Sequence, residues 1–150
     1  MDVKTGEILA LASYPDYNPE DYINGLSTEN WNRYNNSETK PMFNRAIQGA
    51  YAPGSTFKMI SAIAALETGA TTTSETIVTK GKYDKGHKPT CWIYNEQTKA
   101  THGIVNVTGA LKVSCNYYFY EMGYRMGIDN IAKYARYFGL GNKTGIELSR

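Results

Sequence analysis

Apolar positions crowd most densely between Phe57 and Leu66, where Phe57, Met59, Ile60, Ala62, Ile63, Ala64, Ala65 and Leu66 surround a helical axis instead of lining one stripe. The pattern predicts a helix over 55–68, buried on most sides. Pro53-Gly54 breaks the chain ahead of it and Gly69 stops it. Further on, 107–126 reads as helical with an interruption near Ser114-Cys115-Asn116. A last helix is expected from Asp129, as N-cap, to Phe138; Ile131, Tyr134, Ala135 and Phe138 share one face, and Gly139 ends it.

At the other end, Asp2-Val3 and Ile8 to Ala12 read as short strands of a hairpin around Lys4-Thr5-Gly6-Glu7, with Gly6 at the positive φ position. Residues 13–40 are polar, rich in Asn, Tyr and Pro, and without a sustained period. They read as loop with a helical turn near 28–34, either functional surface or covered by another segment. Residues 71–103 hold short strand candidates and polar loop, with a solvated basic cluster at Lys80, Lys82, Lys85 and Lys88. The expected fold class is α/β in the α+β sense, with helices gathered around the 55–68 helix and part of an antiparallel sheet.

At 150 residues the chain is one domain or part of one. Apolar residues at 41% and charged residues at 20% describe an ordinary globular chain, neither disordered nor fibrous. The net charge is only +2 and no Lys/Arg run supports nucleic-acid binding. No apolar stretch approaches the about 18 residues of a membrane span. Met1 to Gly6 lacks the apolar core of a signal peptide, so any export signal is expected outside these residues. Thirteen Tyr suit a large polar-rimmed groove but name no function.

The chemistry lies in Ser55-Thr56-Phe57-Lys58. Ser-x-x-Lys at a helix start puts both side chains on one face, one turn apart. A serine hydroxyl is a poor nucleophile at neutral pH and needs a base. A lysine among apolar neighbours has its ammonium form disfavoured and can accept that proton. Backbone N–H groups at the helix start can hold a developing oxyanion. The tetrad also occurs by chance, with Ser as a common N-cap, so context decides. Ser114-Cys115-Asn116, in the break between helical stretches, can bring a second hydroxyl and an amide to the same cleft. The hydroxyl suits a proton relay to a leaving group; the amide can hold the lysine and a substrate carbonyl.

The stretch from Asn44-Arg45-Ala46-Ile47-Gln48-Gly49 through Ala52-Pro53-Gly54-Ser55-Thr56-Phe57-Lys58 resembles the approach to the nucleophile in class B penicillin-binding proteins. Gly6 to Pro15, His102-Gly103, Ser114 to Tyr120 and Phe138-Gly139-Leu140-Gly141 are similar as well, in order and over nearly the whole chain. The resemblance implies a penicillin-binding transpeptidase or serine β-lactamase-like fold. It also implies a D,D-transpeptidase that cross-links peptidoglycan stem peptides and is acylated by β-lactam antibiotics. Ser55 would be the nucleophile, Lys58 the base, Ser114 the relay and Asn116 the orienting amide. It further implies a membrane glycosyltransferase as partner and a place on the outer face of a bacterial membrane, anchored by a segment absent from this chain.

The family's third motif, Lys-Thr-Gly, belongs on a strand. Lys4-Thr5-Gly6 reads as a hairpin turn and Lys143-Thr144-Gly145 as a post-helix turn, so residues 1–150 are expected to form a partial domain, cut near Arg150. Two rivals stand beside this reading. One is a serine β-lactamase or β-lactam sensor, which would need a group to activate water that is not evident here. The other is a binding or structural fragment without activity.

A second constellation is Asp84, His87, Cys91 and Cys115. Two thiolates, an imidazole and a carboxylate suit structural Zn²⁺, a feature of metal-binding members of the family. His102 is an alternative ligand. A Cys91–Cys115 disulfide and two buried free thiols are the competing readings.

Overall fold

The computed structural model describes residues 1–23 and 25–146; the expected cut near Arg150 falls outside them. The described residues form two compact units, Met1–Ala52 with Gly145 and Ile146, and Pro53–Thr144.

In the first unit the Asp2 N–H donates to Glu7 O and the Gly6 N–H to Asp2 O, closing the expected turn with Gly6 at φ 80°. The strands expected on either side do not form, and residues 8–12 run irregular and exposed. A two-stranded hairpin is marginal by itself, and no third strand joins it among the described residues. Three short helices follow: α1 (Glu20–Ile23), α2 (Thr28–Asn35) and α3 (Arg45–Gln48). Helix α2 fulfils the turn expected near 28–34. Ser27 Oγ caps it by accepting from the Asn30 N–H at 3.1 Å. Its buried Tyr34 stacks against Tyr22 and donates its hydroxyl to the Asp21 carboxylate.

The second unit holds the residues expected to carry the chemistry. A 3₁₀ turn, Gly54–Phe57, leads into α4 (Lys58–Glu67), and Gly69 at φ 70° stops the chain as expected. Helix α4 is not buried on most sides. It buries Ala62, Ala64 and Ala65, while Met59 is 60% and Ile63 39% exposed. The small side chains explain the choice: an alanine face lets a partner helix approach closely. That partner is α6 (Asn116–Tyr137), which buries Tyr117, Tyr118, Phe119, Met122 and Met126. Between them α5 (Val107–Lys112) is capped by Asn106, whose Oδ1 accepts from the Gly109 N–H at 2.9 Å.

The helical stretch expected over 107–126 breaks at 113–115, as anticipated. The next break is a kink inside α6 at Gly127, φ 72° and ψ 165°, two residues ahead of the expected cap Asp129. Gly139, at φ 80°, closes the element by donating to Arg136 O while Leu140 N–H reaches Ala135 O.

The sheet consists of β1 (Ile77–Val78) and β2 (Ile104–Val105), antiparallel, with Ile77 opposite Val105 and Val78 opposite Ile104. Helices with a small antiparallel sheet realise the expected α+β class. Beside the core, Glu121 gathers three donors: Tyr83 Oη at 2.7 Å, Lys85 Nζ at 3.2 Å and Arg125 Nε at 2.9 Å. Burial alone would raise the Glu121 carboxyl, but these donors outweigh it and hold the group at about 2. Among the described residues no helix is long and apolar enough to cross a membrane.

Candidate active site

Ser55 is the second residue of the 3₁₀ turn, where backbone N–H groups have no partner within the helix. It is exposed, and Lys58 is half-buried one turn on. Lys58 Nζ lies 3.3 Å from Ser55 Oγ, 2.9 Å from Ser114 Oγ, 2.8 Å from Ser114 O and 2.5 Å from Asn116 Oδ1. The Ser114 hydroxyl donates to Ser55 Oγ at 2.8 Å. Four side chains named from sequence, from two segments more than fifty residues apart, thus meet at one nitrogen.

An ammonium carries only three hydrogens, so it cannot donate to all four acceptors at once. The longest contact, to Ser55 Oγ, is the one that reverses when Lys58 is neutral. The Ser55 hydroxyl then donates to the amine lone pair. Burial disfavours the ammonium and lowers the Lys58 pKa, while the nearby sulfurs of Cys91 and Cys115 oppose the shift.

Ser114 sits at φ 51°, in the left-handed region that a non-glycine residue enters at a cost of roughly 1–3 kcal/mol. Local bonds hold it there: Val113 N–H to Gly109 O, Ser114 N–H to Leu111 O and Cys115 N–H to Ala110 O. The twist lets Ser114 and Asn116, two positions apart, both face Lys58. A cleft of about 470 Å³ opens on Ser55, Lys58 and Ser114, and Thr56, Met59 and Leu111 complete its lining.

Of the residues expected to bind metal, the structure brings together Cys91 and Cys115 but neither Asp84 nor His87. His102 joins the two cysteines, with the three ligand atoms within 4.8 Å of one another. The reason is a hairpin. Lys82 bridges Thr90, Tyr83 N–H bonds Pro89 O, and 84–88 form the tip, where Asp84 and His87 are exposed. Cys91, just past the tip, turns inward. Spacing counted Asp84 and His87 as near neighbours of Cys91; the hairpin turns them away from it.

The cysteines are buried and free, with no disulfide between them. Burial pushes the Cys115 thiol up. Burial, helped by the Lys58 charge, lowers the His102 pKa and favours its neutral form. Cys91 Sγ lies 3.5 Å from His102 Nδ1, and the buried His102 Nε2 has no hydrogen-bond partner among the described residues. Two sulfurs and a neutral imidazole are three groups of the kinds that zinc takes. The two Lys-Thr-Gly triplets lie in the Asp2 turn and in irregular chain after Gly139. Sequence reading passed over Trp92, whose one signal was its place beside Cys91.

A serine–lysine pair in a Ser-x-x-Lys turn, met by Ser-x-Asn from the break before α6, has the arrangement of a serine acyl-transfer site of the penicillin-recognising type. The chain belongs to the penicillin-binding protein transpeptidase domain family, whose sequence profile matches residues 1–150. It is 38% identical over 151 residues to the peptidoglycan D,D-transpeptidase MrdA of Acinetobacter baumannii, covering 99% of this chain and 22% of the relative. It is 37% identical over 149 residues to MrdA of Escherichia coli K12, covering 99% and 23%.

Among solved structures, the PBP2–MreC complex from Helicobacter pylori aligns with TM-score 0.87 and 35% identity, over 97% of this chain and 27% of that one. The penicillin G acyl-enzyme of penicillin-binding protein A from M. tuberculosis aligns with TM-score 0.76 and 34% identity, over 91% and 32%. The chain therefore spans under a quarter of the length of the curated relatives it matches.

Proposed function

We propose that this chain supplies the nucleophile of a serine D,D-transpeptidase that cross-links peptidoglycan through an acyl-enzyme. The observation that carries the reading is the convergence of Lys58 Nζ on Ser55 Oγ, Ser114 Oγ and Asn116 Oδ1. Neutral Lys58 takes the Ser55 proton as Oγ attacks the carbonyl of the penultimate D-Ala of a stem peptide. Unpaired N–H groups at the start of the 3₁₀ turn stabilise the oxyanion. Ser114, bonded to both Lys58 and Ser55, passes a proton to the departing terminal D-Ala. Asn116 holds Lys58 through Oδ1 and offers its amide N–H groups to the substrate. An amine of a neighbouring stem peptide then displaces Ser55 and completes the cross-link.

The same serine would take β-lactams, as the mycobacterial relative takes penicillin G. In this reading residues 1–150 are part of a domain whose third motif comes from sequence beyond them. The protein works on the outer face of a bacterial membrane, held by an anchor elsewhere in its sequence, beside a glycosyltransferase. The Helicobacter pylori relative assembles with MreC, which supports a place in a larger wall-building complex.

Zinc is part of the same proposal, as a structural ion. Cys91, His102 and Cys115 would hold it, and its chemistry would be to fix Cys115 between Ser114 and Asn116.

The test of the reading is mass spectrometry of the full-length protein after exposure to penicillin. A stable adduct on the peptide containing Ser55 is expected. Turnover without a lasting adduct would identify a lactamase, and an adduct on Ser114 or Ser61 would overturn the assignment of the nucleophile.

A further inference from the structure

Trp92 is 64% exposed, a large apolar surface to leave in water beside a catalytic motif. Its indole is not idle. Nε1–H donates to the Val113 carbonyl at 3.2 Å, on the N-terminal side of Ser114. The preceding residue acts on the other side of the motif: Cys91 Sγ accepts the Asn116 N–H at 3.2 Å. Two adjacent residues thus grip Ser114-Cys115-Asn116 at both ends.

Their own position is set independently of that motif. The Cys91 N–H donates to Gly81 O at 2.7 Å, the Tyr94 N–H to Cys91 O at 3.0 Å, and the Trp92 ring lies 5.5 Å from His102. The gripped segment is the one that needs holding, since Ser114 has φ 51°. A residue in that region relaxes toward the broad β or right-handed α basin unless its neighbours prevent it. Either relaxation turns the Ser114 hydroxyl away from Ser55 Oγ.

We infer that Trp92 is a positioning residue, whose indole N–H pins the Val113 carbonyl and so keeps Ser114 in the strained conformation that aims its hydroxyl at Ser55. The inference rests on the transpeptidase reading, because it matters only if Ser114 relays a proton. Trp92 touches neither the nucleophile nor the base. Its contribution belongs to the acylation step, not to noncovalent capture of the acyl donor.

The experiment uses the full-length protein with a fluorescent penicillin, separating the dissociation constant of the first complex from the acylation rate constant. Wild-type acylation at Ser55 is established first, so failure of the transpeptidase reading is seen apart from failure of this one. Trp92→Phe keeps a flat ring and removes the donor. Replacing Trp92 with benzothienylalanine keeps the bicyclic shape and removes only the N–H. Both should slow acylation by about 5–10-fold, the scale of one lost hydrogen bond. The dissociation constant should stay at its wild-type value, and the melting temperature should fall by no more than the few degrees that one lost hydrogen bond allows. Wild-type acylation by the benzothienylalanine protein would overturn the role of the N–H. A melting temperature that falls well beyond the few degrees of one lost hydrogen bond would reduce Trp92 to a structural residue, and a weakened first complex with normal acylation would make it a substrate platform instead.

Discussion

Lys58 lies under opposing demands: burial asks it to be neutral, while Ser114 O and Asn116 Oδ1 accept its hydrogens in either state. Its lowered pKa sets the sign of a pH effect. The reactive form is the free amine, so acylation should rise with pH as Lys58 deprotonates. It should level off at a lower pH than an exposed lysine, near 10.4, would allow. Lys58→Arg keeps the charge but cannot deprotonate at working pH, and should cost about 10²-fold or more in acylation rate, read by penicillin labelling. Near-normal labelling would remove Lys58 as the base.

Glu121 gives a stability counterpart. Its folded value of about 2 lies below the ordinary 4.5. A depressed carboxyl stabilises the fold fully above its unfolded pKa and loses that contribution as pH falls through the folded one. Roughly 2–3 kcal/mol should therefore disappear between about pH 4.5 and 2. Urea denaturation across that window should show a shallower fall for Glu121→Gln; equal slopes would refute the assignment. The four residues proposed for catalysis could be named from sequence because such roles demand particular side chains at short spacings, and the structure brings their side chains together. The choice of His102 over His87 was not, because it depends on a hairpin that carries 84–88 into solvent.

At the scale of elements, helix starts and stops were readable wherever the backbone itself requires a residue type. Gly69 and Gly139 end helices at positive φ, and the break at 113–115 falls where it was expected. Gly127 is the sharper case. Its φ of 72° with ψ of 165° belongs to a region held almost only by glycine, and an added Cβ would meet nothing within 4 Å. Gly127→Ala should then cost about 1–3 kcal/mol through backbone strain alone, measured as a lowered denaturation midpoint with unchanged slope. A stability within about 0.5 kcal/mol of wild type would mean that the kink relaxes into continuous helix. The strands at Asp2-Val3 and Ile8–Ala12 were misread because a short apolar run beside a turn makes a strand only when a neighbour accepts its hydrogen bonds.

Over the whole molecule, the proposed zinc joins three parts of the second unit: the hairpin base at Cys91, the segment before β2 at His102, and the break before α6 at Cys115. Full-length protein purified without added metal should contain about one zinc per chain; less than about 0.2 would refute the site. A chelator should lower the melting temperature and penicillin acylation together. Cys91→Ser should have the same effect, and a chelator should add little to it. A chelator effect undiminished in Cys91→Ser would place the metal elsewhere. Sequence by itself determined the longer helical segments, the family, and the residues able to do the chemistry, because these follow from local backbone preference, short spacing and side-chain type. Tertiary structure alone decided that Lys58 reaches Ser114 and Asn116, that His102 joins the cysteines, and that α4 buries its alanines while exposing Met59. Each of these is a meeting of segments distant in sequence, settled by packing against α6 and by strained turns that no local pattern encodes.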